Sequence, residues 1–114
     1  METRAVLKYA RVSPRKVRRV VDLIRGRKAG EAMLALRFMP YKAAKTVEKV
    51  LKSAMANAEQ ADAGIDVEEM RISQALVDNG PTMKRMLARA MGRANTIRKR
   101  SSHITLYLSG TGGE

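Results

Sequence analysis

The sequence predicts an α+β domain, on three observations. Apolar residues recur at helical spacing in three segments between residues 13 and 60. They then switch to alternate positions in two later runs. In the first, Met70, Ile72, Gln74 and Leu76 alternate with Arg71, Ser73, Ala75 and Val77; in the second, Ile104, Leu106 and Leu108 alternate with His103, Thr105, Tyr107 and Ser109. Between these runs, from Gly80 to Ser102, stand Lys84, Arg85, Arg89, Arg93, Arg98, Lys99 and Arg100 and no acidic residue. Two strand-like runs bracketing one basic insertion predict a hairpin with a long protruding arm.

Taken in chain order, Thr3 to Ala10 is long enough for a third strand, although its alternation is weak. Ser13-Pro14 is a helix start, because the Ser hydroxyl can cap free amides and Pro fits the first helical position. Val17, Val20, Val21 and Ile24 then fall on one face, and Gly26 can end the helix. The opposite face shows Arg15, Lys16, Arg18, Arg19 and Arg25. Arg15 and Lys16 lie in the first turn, where cations oppose the helix dipole, a conflict that a bound polyanion removes. A shorter helix is predicted from about Gly30 to Met39, ended by Pro40, and a longer one from Tyr41 to Gln60. The long helix places Ala44, Val47, Val50, Leu51, Ala54, Met55 and Ala58 on a core stripe. Its flank of Lys42, Lys45, Lys49 and Lys52 suits either solvent or phosphate. Residues 59 to 69, with Glu59, Asp62, Asp66, Glu68 and Glu69, read as an acidic, solvent-facing linker.

The arm carries a competing signal. Met83, Met86, Leu87, Ala90, Met91 and Ala94 recur at helical spacing, so periodicity alone also allows an amphipathic helix. Gly80-Pro81 and Gly92 argue against a helix, and both flanks argue for strands.

The charge is informative through its distribution. The formal net charge is +12 on 114 residues with a pI near 10.8, the footprint of a nucleic-acid binder. Residues 1–52 hold 15 basic and 4 acidic residues, residues 53–79 hold 1 and 6, and residues 80–114 hold 7 and 1. A solvated charge run is the bland alternative, but solubility alone does not demand that the acids be gathered in one segment. With 1 Phe, 3 Tyr and no Trp, stacking platforms for bases are scarce, which favours recognition of backbone charge and shape.

Other chemistries are excluded. There is no Cys, hence no disulfide, thiol nucleophile or thiolate metal site. The sole His, His103, stands beside Ser101 and Ser102 with no supported carboxylate partner, so catalysis is not expected. The acids of residues 59–69 lack calcium-loop spacing, and Gly110, Gly112 and Gly113 precede no helix and form no phosphate loop. No cofactor is expected. The start of the chain lacks the apolar stretch of a signal peptide, and no run reaches the ~18 apolar residues of a membrane span, so a soluble cytoplasmic protein is expected.

Several motifs together carry a resemblance: Ser13-Pro14-Arg15-Lys16-Val17-Arg18, Asp22-Leu23-Ile24-Arg25-Gly26, Ala56-Asn57-Ala58-Glu59, Gly80-Pro81-Thr82-Met83-Lys84-Arg85, Arg89-Ala90-Met91-Gly92-Arg93-Ala94 and Lys99-Arg100-Ser101-Ser102-His103-Ile104-Thr105. From about Met1 to Leu108 the chain resembles the L22 family of bacterial large-subunit ribosomal proteins. The resemblance implies three helices packed on a small three-stranded antiparallel sheet with a long protruding β-hairpin, and so decides the arm against the helix. It implies a single globular domain over residues 1–79 and 101–109 and a basic hairpin arm over 80–100, while the low-complexity composition of the tail over 110–114 predicts disorder there. It further implies a non-enzymatic, ribosome-bound protein that binds large-subunit ribosomal RNA, supports subunit assembly and lines the peptide exit tunnel. The implied partners are that RNA, neighbouring ribosomal proteins and the nascent peptide, with no membrane and no homo-oligomer.

The candidate RNA-binding residues are Arg11, Ser13, Arg15, Lys16, Arg18, Arg19, Arg25, Lys84, Arg85, Arg89, Arg93, Arg98, Lys99, Arg100, Ser102 and His103. The implied tunnel tip is Met83, Lys84, Arg85, Met86, Leu87, Ala88, Arg89, Ala90, Met91, Gly92 and Arg93. Ala88 stands where the family usually has proline, Ser101 where it has threonine, and Arg19 where an apolar residue is commoner. Three helices and a hairpin also fit a winged-helix DNA-binding regulator, but the third helix offers mainly Lys and Ala where base edges call for Arg, Asn or Gln. A Met-rich basic arm that binds membrane surfaces is a third reading.

Overall fold

The computed structural model describes residues 2–80, 83–88 and 94–110. In chain order it contains β1 (Glu2–Ala10), α1 (Pro14–Ile24), α2 (Ala29–Phe38), α3 (Lys42–Ala61), a 3-10 turn (Val67–Glu69), β2 (Arg71–Asn79), β3 (Met83–Ala88), β4 (Ala94–Lys99) and β5 (Ser102–Ser109). β5 is the centre of a three-stranded sheet of order β1-β5-β2, antiparallel to both neighbours. The helices cover one face of that sheet. α3 packs on β1 and β5, α1 on β2, and α2 against α3 and the 3-10 turn. Among the described residues, no helix is long and apolar enough to cross a membrane.

Helix α1 follows its apolar spacing. Val17, Val20, Val21 and Ile24 are all fully buried, and Gly26 takes the positive φ (+82°) that ends the helix. The cap differs from expectation. The Ser13 hydroxyl makes no cap bond; its carbonyl instead accepts the Lys16 and Val17 amides at 3.0 and 3.1 Å. After the helix the chain is stitched to β2, with the Gly26 amide donating to the Ile72 carbonyl and the Ile72 amide to the Arg27 carbonyl, both at 3.0 Å. Of the α3 stripe, every residue is buried except Met55, which is half-buried.

In the central strand, Ile104, Leu106 and Leu108 point inward and are fully buried, as their alternation predicts. Strand β2 departs from its own alternation. Its register against β5 shifts between Ile72 and Gln74, so one extra residue, Ser73, is accommodated as a bulge. A single inserted residue reverses every side chain after it. Ala75 is therefore buried and Val77 half-buried, while Gln74 and Leu76 face out, Leu76 with 45% of its surface exposed. A second bulge, in β1 between Leu7 and Ala10, contains Tyr9 at φ +59°.

The acidic segment is less free than its composition suggests. Its carboxylates are exposed, but Val67 and Met70 are buried, the Ala29 amide donates to the Met70 carbonyl at 2.6 Å, and Lys28 pairs with Glu69 at 2.9 Å. The expectation of a purely solvent-facing linker is corrected accordingly. Apolar residues between the acids anchor the segment under α2.

The arm is extended. β3 and β4 pair antiparallel from Met83↔Lys99 to Ala88↔Ala94 as a separate two-stranded sheet, which overturns the helical reading of Met83, Met86, Leu87 and Ala94. Pairing to a partner strand overrides local periodicity here, because β2 and β5 enter the arm already paired, through Asn79↔Ser102 and the Gly80 amide to the Ser101 carbonyl at 2.9 Å. The molecule extends 65 × 24 × 17 Å. The expectations for Arg89 to Arg93, and for the tail beyond Gly110, lie outside the described residues.

Candidate nucleic-acid interface

The polar face of α1 and the chain before it carry Arg11, Arg15, Lys16, Arg18 and Arg19, all exposed. They diverge in what they do. Arg18 reaches across to β2, donating to the Val77 carbonyl at 3.0 Å and to Asn79 Oδ1 at 3.4 Å. Arg25, just past the helix, is held by Asp22 at 2.7 Å and by the Ala75 carbonyl at 2.8 Å. Both guanidiniums tie helix to sheet. Arg11, Arg15, Lys16 and Arg19 instead line an open cleft.

That cleft, of about 570 Å³, lies between the start of α1 and the start of α3, and its lining includes Ser13, Pro40, Tyr41 and Lys42. It contains five basic side chains and no acidic one. The Arg19 guanidinium carbon stands 5.9 Å from the centre of the Tyr41 ring, within cation–π range. Neither α1 nor α3 has an acidic residue in its first turn or a side-chain cap. The positive ends of both helix dipoles are thus left uncompensated beside the cations. Lys45, Lys49 and Lys52 continue an exposed basic flank along α3. The arrangement is suited to holding phosphate oxygens and unsuited to acid–base chemistry.

The remaining candidates differ in their settings. Ser102 is fully buried, its hydroxyl donating to the Val12 carbonyl at 2.5 Å, so its side chain serves the fold and leaves the interface. His103 is half-buried. Its Nδ1 accepts the Tyr9 amide at 3.0 Å, and its ring meets Tyr9 edge-on with centroids 4.8 Å apart. Arg100 is exposed at the base of the arm. Lys84, Arg85, Arg98 and Lys99 have their backbones in β3 and β4, whereas Arg89 and Arg93 lie outside the described residues.

Sequence reasoning missed Tyr41 and left Lys42 ambiguous on its flank. The available signal is a parallel between two helix starts, Ser13-Pro14-Arg15-Lys16 and Pro40-Tyr41-Lys42: each has a proline and a cation and no acid. Only the tertiary packing brings the two starts to one cleft. Among the described residues, no group of His, Cys, Asp and Glu could hold a metal ion.

The family model of ribosomal protein L22p/L17e matches residues 5–109. Among curated relatives, the large ribosomal subunit protein uL22 of Halothermothrix orenii is 59% identical over 109 residues, covering 96% of each chain. That of Desulforamulus reducens is 57% identical with the same coverage, and that of a Thermoanaerobacter species is 54% identical over 108 residues, 95% of this chain and 96% of the relative.

Proposed function

The chain belongs to the ribosomal protein L22p/L17e family, and from that premise we propose how it serves the large ribosomal subunit. It is a structural, non-enzymatic constituent of that subunit and binds its RNA in the bacterial cytoplasm. The DNA-binding regulator and the membrane-surface peptide lose their premise with that membership.

The observation that carries the mechanism is the acid-free cationic cleft of Arg11, Arg15, Lys16, Arg19 and Lys42. The cleft brings cations together with no Asn or Gln beside them, so affinity comes chiefly from phosphate contacts and counterion release. The globular part, residues 1–79 and 101–109, docks on folded RNA through that end of the helical layer. The arm, residues 80–100, extends away from it with Lys84, Arg85, Arg89, Arg93, Arg98, Lys99 and Arg100 neutralising RNA along its length. Met83 to Arg93 form the tip that reaches the peptide exit tunnel and meets the nascent peptide. A long arm threaded between RNA segments ties them together, which is its part in assembly. Contacts with neighbouring ribosomal proteins complete its setting.

The test is binding of the full chain to large-subunit RNA across a salt series. The logarithm of the affinity should fall with the logarithm of salt by about 0.7–0.9 per neutralised phosphate. A slope near zero would rule the mechanism out.

A further inference from the structure

We propose that the cleft between the starts of α1 and α3 holds the sugar-phosphate backbone of a single, unpaired RNA strand, and that Tyr41 is the residue that aims Arg19 into it. This rests on the RNA-binding reading above and specifies which part of the RNA this one site takes.

The cleft is concave, and its cations lie on two walls: Arg11, Arg15, Lys16 and Arg19 on the α1 side and Lys42 on the α3 side. A duplex presents a convex surface with phosphates spread along two ridges, and can be met by a flat or ridged basic face. Cations that converge from two walls onto one space need a narrower guest. Its volume of about 570 Å³ falls within the range of about 300–1,000 Å³ typical of pockets that enclose small molecules. A nucleotide or two of single strand fits that space, and each phosphate entering it meets cations from both sides.

Both helix starts favour the same guest. Lys42 opens α3 as Arg15 and Lys16 open α1, against the dipole in each case, with no acid in either first turn. An anion in the cleft relieves both conflicts at once. By contrast, α2 begins with Glu31 in its first turn.

Tyr41 enters through Arg19. The ring lies under the Arg19 guanidinium, so one ring face is occupied and is not available as a base-stacking platform. What the ring supplies is direction. An exposed arginine samples many rotamers, and an aromatic face restricts it to those that project over the cleft. Tyr41 is therefore a positioning residue, and its effect on RNA binding should pass through Arg19.

The experiment uses the full chain with isotope-labelled amides, titrated with a uridine octamer and, separately, with an RNA duplex of the same length. The affinity is taken from the amides of Arg11 to Ser13, of Arg15 to Arg19 and of Tyr41 to Ala43. The octamer should saturate these amides, with the duplex clearly weaker there, because its width keeps a phosphate from meeting the cations of both walls at once. Tyr41→Leu should weaken the octamer several-fold in the native background and leave the affinity unchanged when Arg19→Ala is already present. Tyr41→Phe should bind as the native chain does, and thermal melts of all variants should coincide, which excludes a merely structural effect. An equal loss from Tyr41→Leu with and without Arg19 would overturn the positioning role. Equal affinity for octamer and duplex, or saturation of the cleft by oligoglutamate at the same concentration, would overturn the single-strand assignment. Silent cleft amides in a chain that still binds large-subunit RNA with a steep salt slope would overturn the cleft and leave the broader function standing. Loss of both would instead sink the broader reading.

Discussion

The Ser102 hydroxyl, fully buried, donates to the Val12 carbonyl at 2.5 Å. The bond joins the first residue of the central strand to the link between β1 and α1, at the end of the domain from which the arm departs. Removing the donor leaves a carbonyl without its partner, which costs about 1–3 kcal/mol. Ser102→Ala should therefore lower the melting temperature by about 4–8 °C per kcal/mol lost, the sensitivity of a domain of this size. A melt within about 1 °C of the native chain would contradict this.

Arg18 and Val20, two residues apart on α1, should respond very differently to substitution. Val20 is fully buried, so Val20→Asp places an unpaired charge in the core at a cost of several kcal/mol against a total stability of about 5–15. Arg18 is exposed, and its bonds to Val77 and Asn79 are worth about 0.5–1.5 kcal/mol together with their solvent competition. Urea unfolding should show Arg18→Ala folded with a slightly lower midpoint and Val20→Asp without a cooperative transition. Comparable losses in the two variants would mean that the faces of α1 are misassigned.

The helices and β5 were legible in the sequence because their burial follows one unbroken period: Val17, Val20, Val21 and Ile24 at helical spacing, and Ile104, Leu106 and Leu108 at every second residue. Strand β2 was legible only in part. The bulge at Ser73 arises from register against β5, which no local pattern encodes, and it turned Leu76 outward against its alternation. Arm periodicity misled for a related reason, since the pairing of β3 with β4 depends on a partner beyond the window in which a period is read. The candidate interface was legible as charge but not as geometry. Arg18, Arg25 and Ser102 resemble their neighbours in sequence, yet their polar atoms are engaged within the fold, while Tyr41 joined the cleft through packing of two helix starts 28 residues apart in sequence, counting from Ser13.

Two glycines should be intolerant for different reasons. At Gly26 a Cβ would meet nothing within 4 Å, but φ is +82°, so Gly26→Ala should cost about 1 kcal/mol through backbone strain alone. At Gly80 a Cβ would run into the Ser101 hydroxyl and approach the Ser101 carbonyl carbon at 3.3 Å. Gly80→Ala should then disturb the root of the arm, and adding Ser101→Gly should recover part of the loss, whereas that second change should do nothing for Gly26→Ala. Thermal melts of the four variants give the comparison, and a rescue of Gly26→Ala by Ser101→Gly would refute it.

The arm and the globular part should separate by deletion. At the root, Asn79 pairs with Ser102 and the Gly80 amide bonds the Ser101 carbonyl, so the strands arrive in register for a tight turn. Replacing residues 81–100 by Asn-Gly closes β2 onto β5 with the two-residue loop that suits the twist of such strands. The core residues of α1, α3 and β5 lie outside the replaced stretch, so the shortened chain should keep its helical circular dichroism and melt within a few degrees of the full chain. RNA binding should change in a specific way. The deletion removes seven cations, Lys84, Arg85, Arg89, Arg93, Arg98, Lys99 and Arg100, and each that neutralises a phosphate should take about 0.7–0.9 from the salt slope. The cleft cations remain, so a smaller slope should persist. Loss of the cooperative melt would show that the arm is needed for the fold, and an unchanged slope would show that its cations do not engage the RNA.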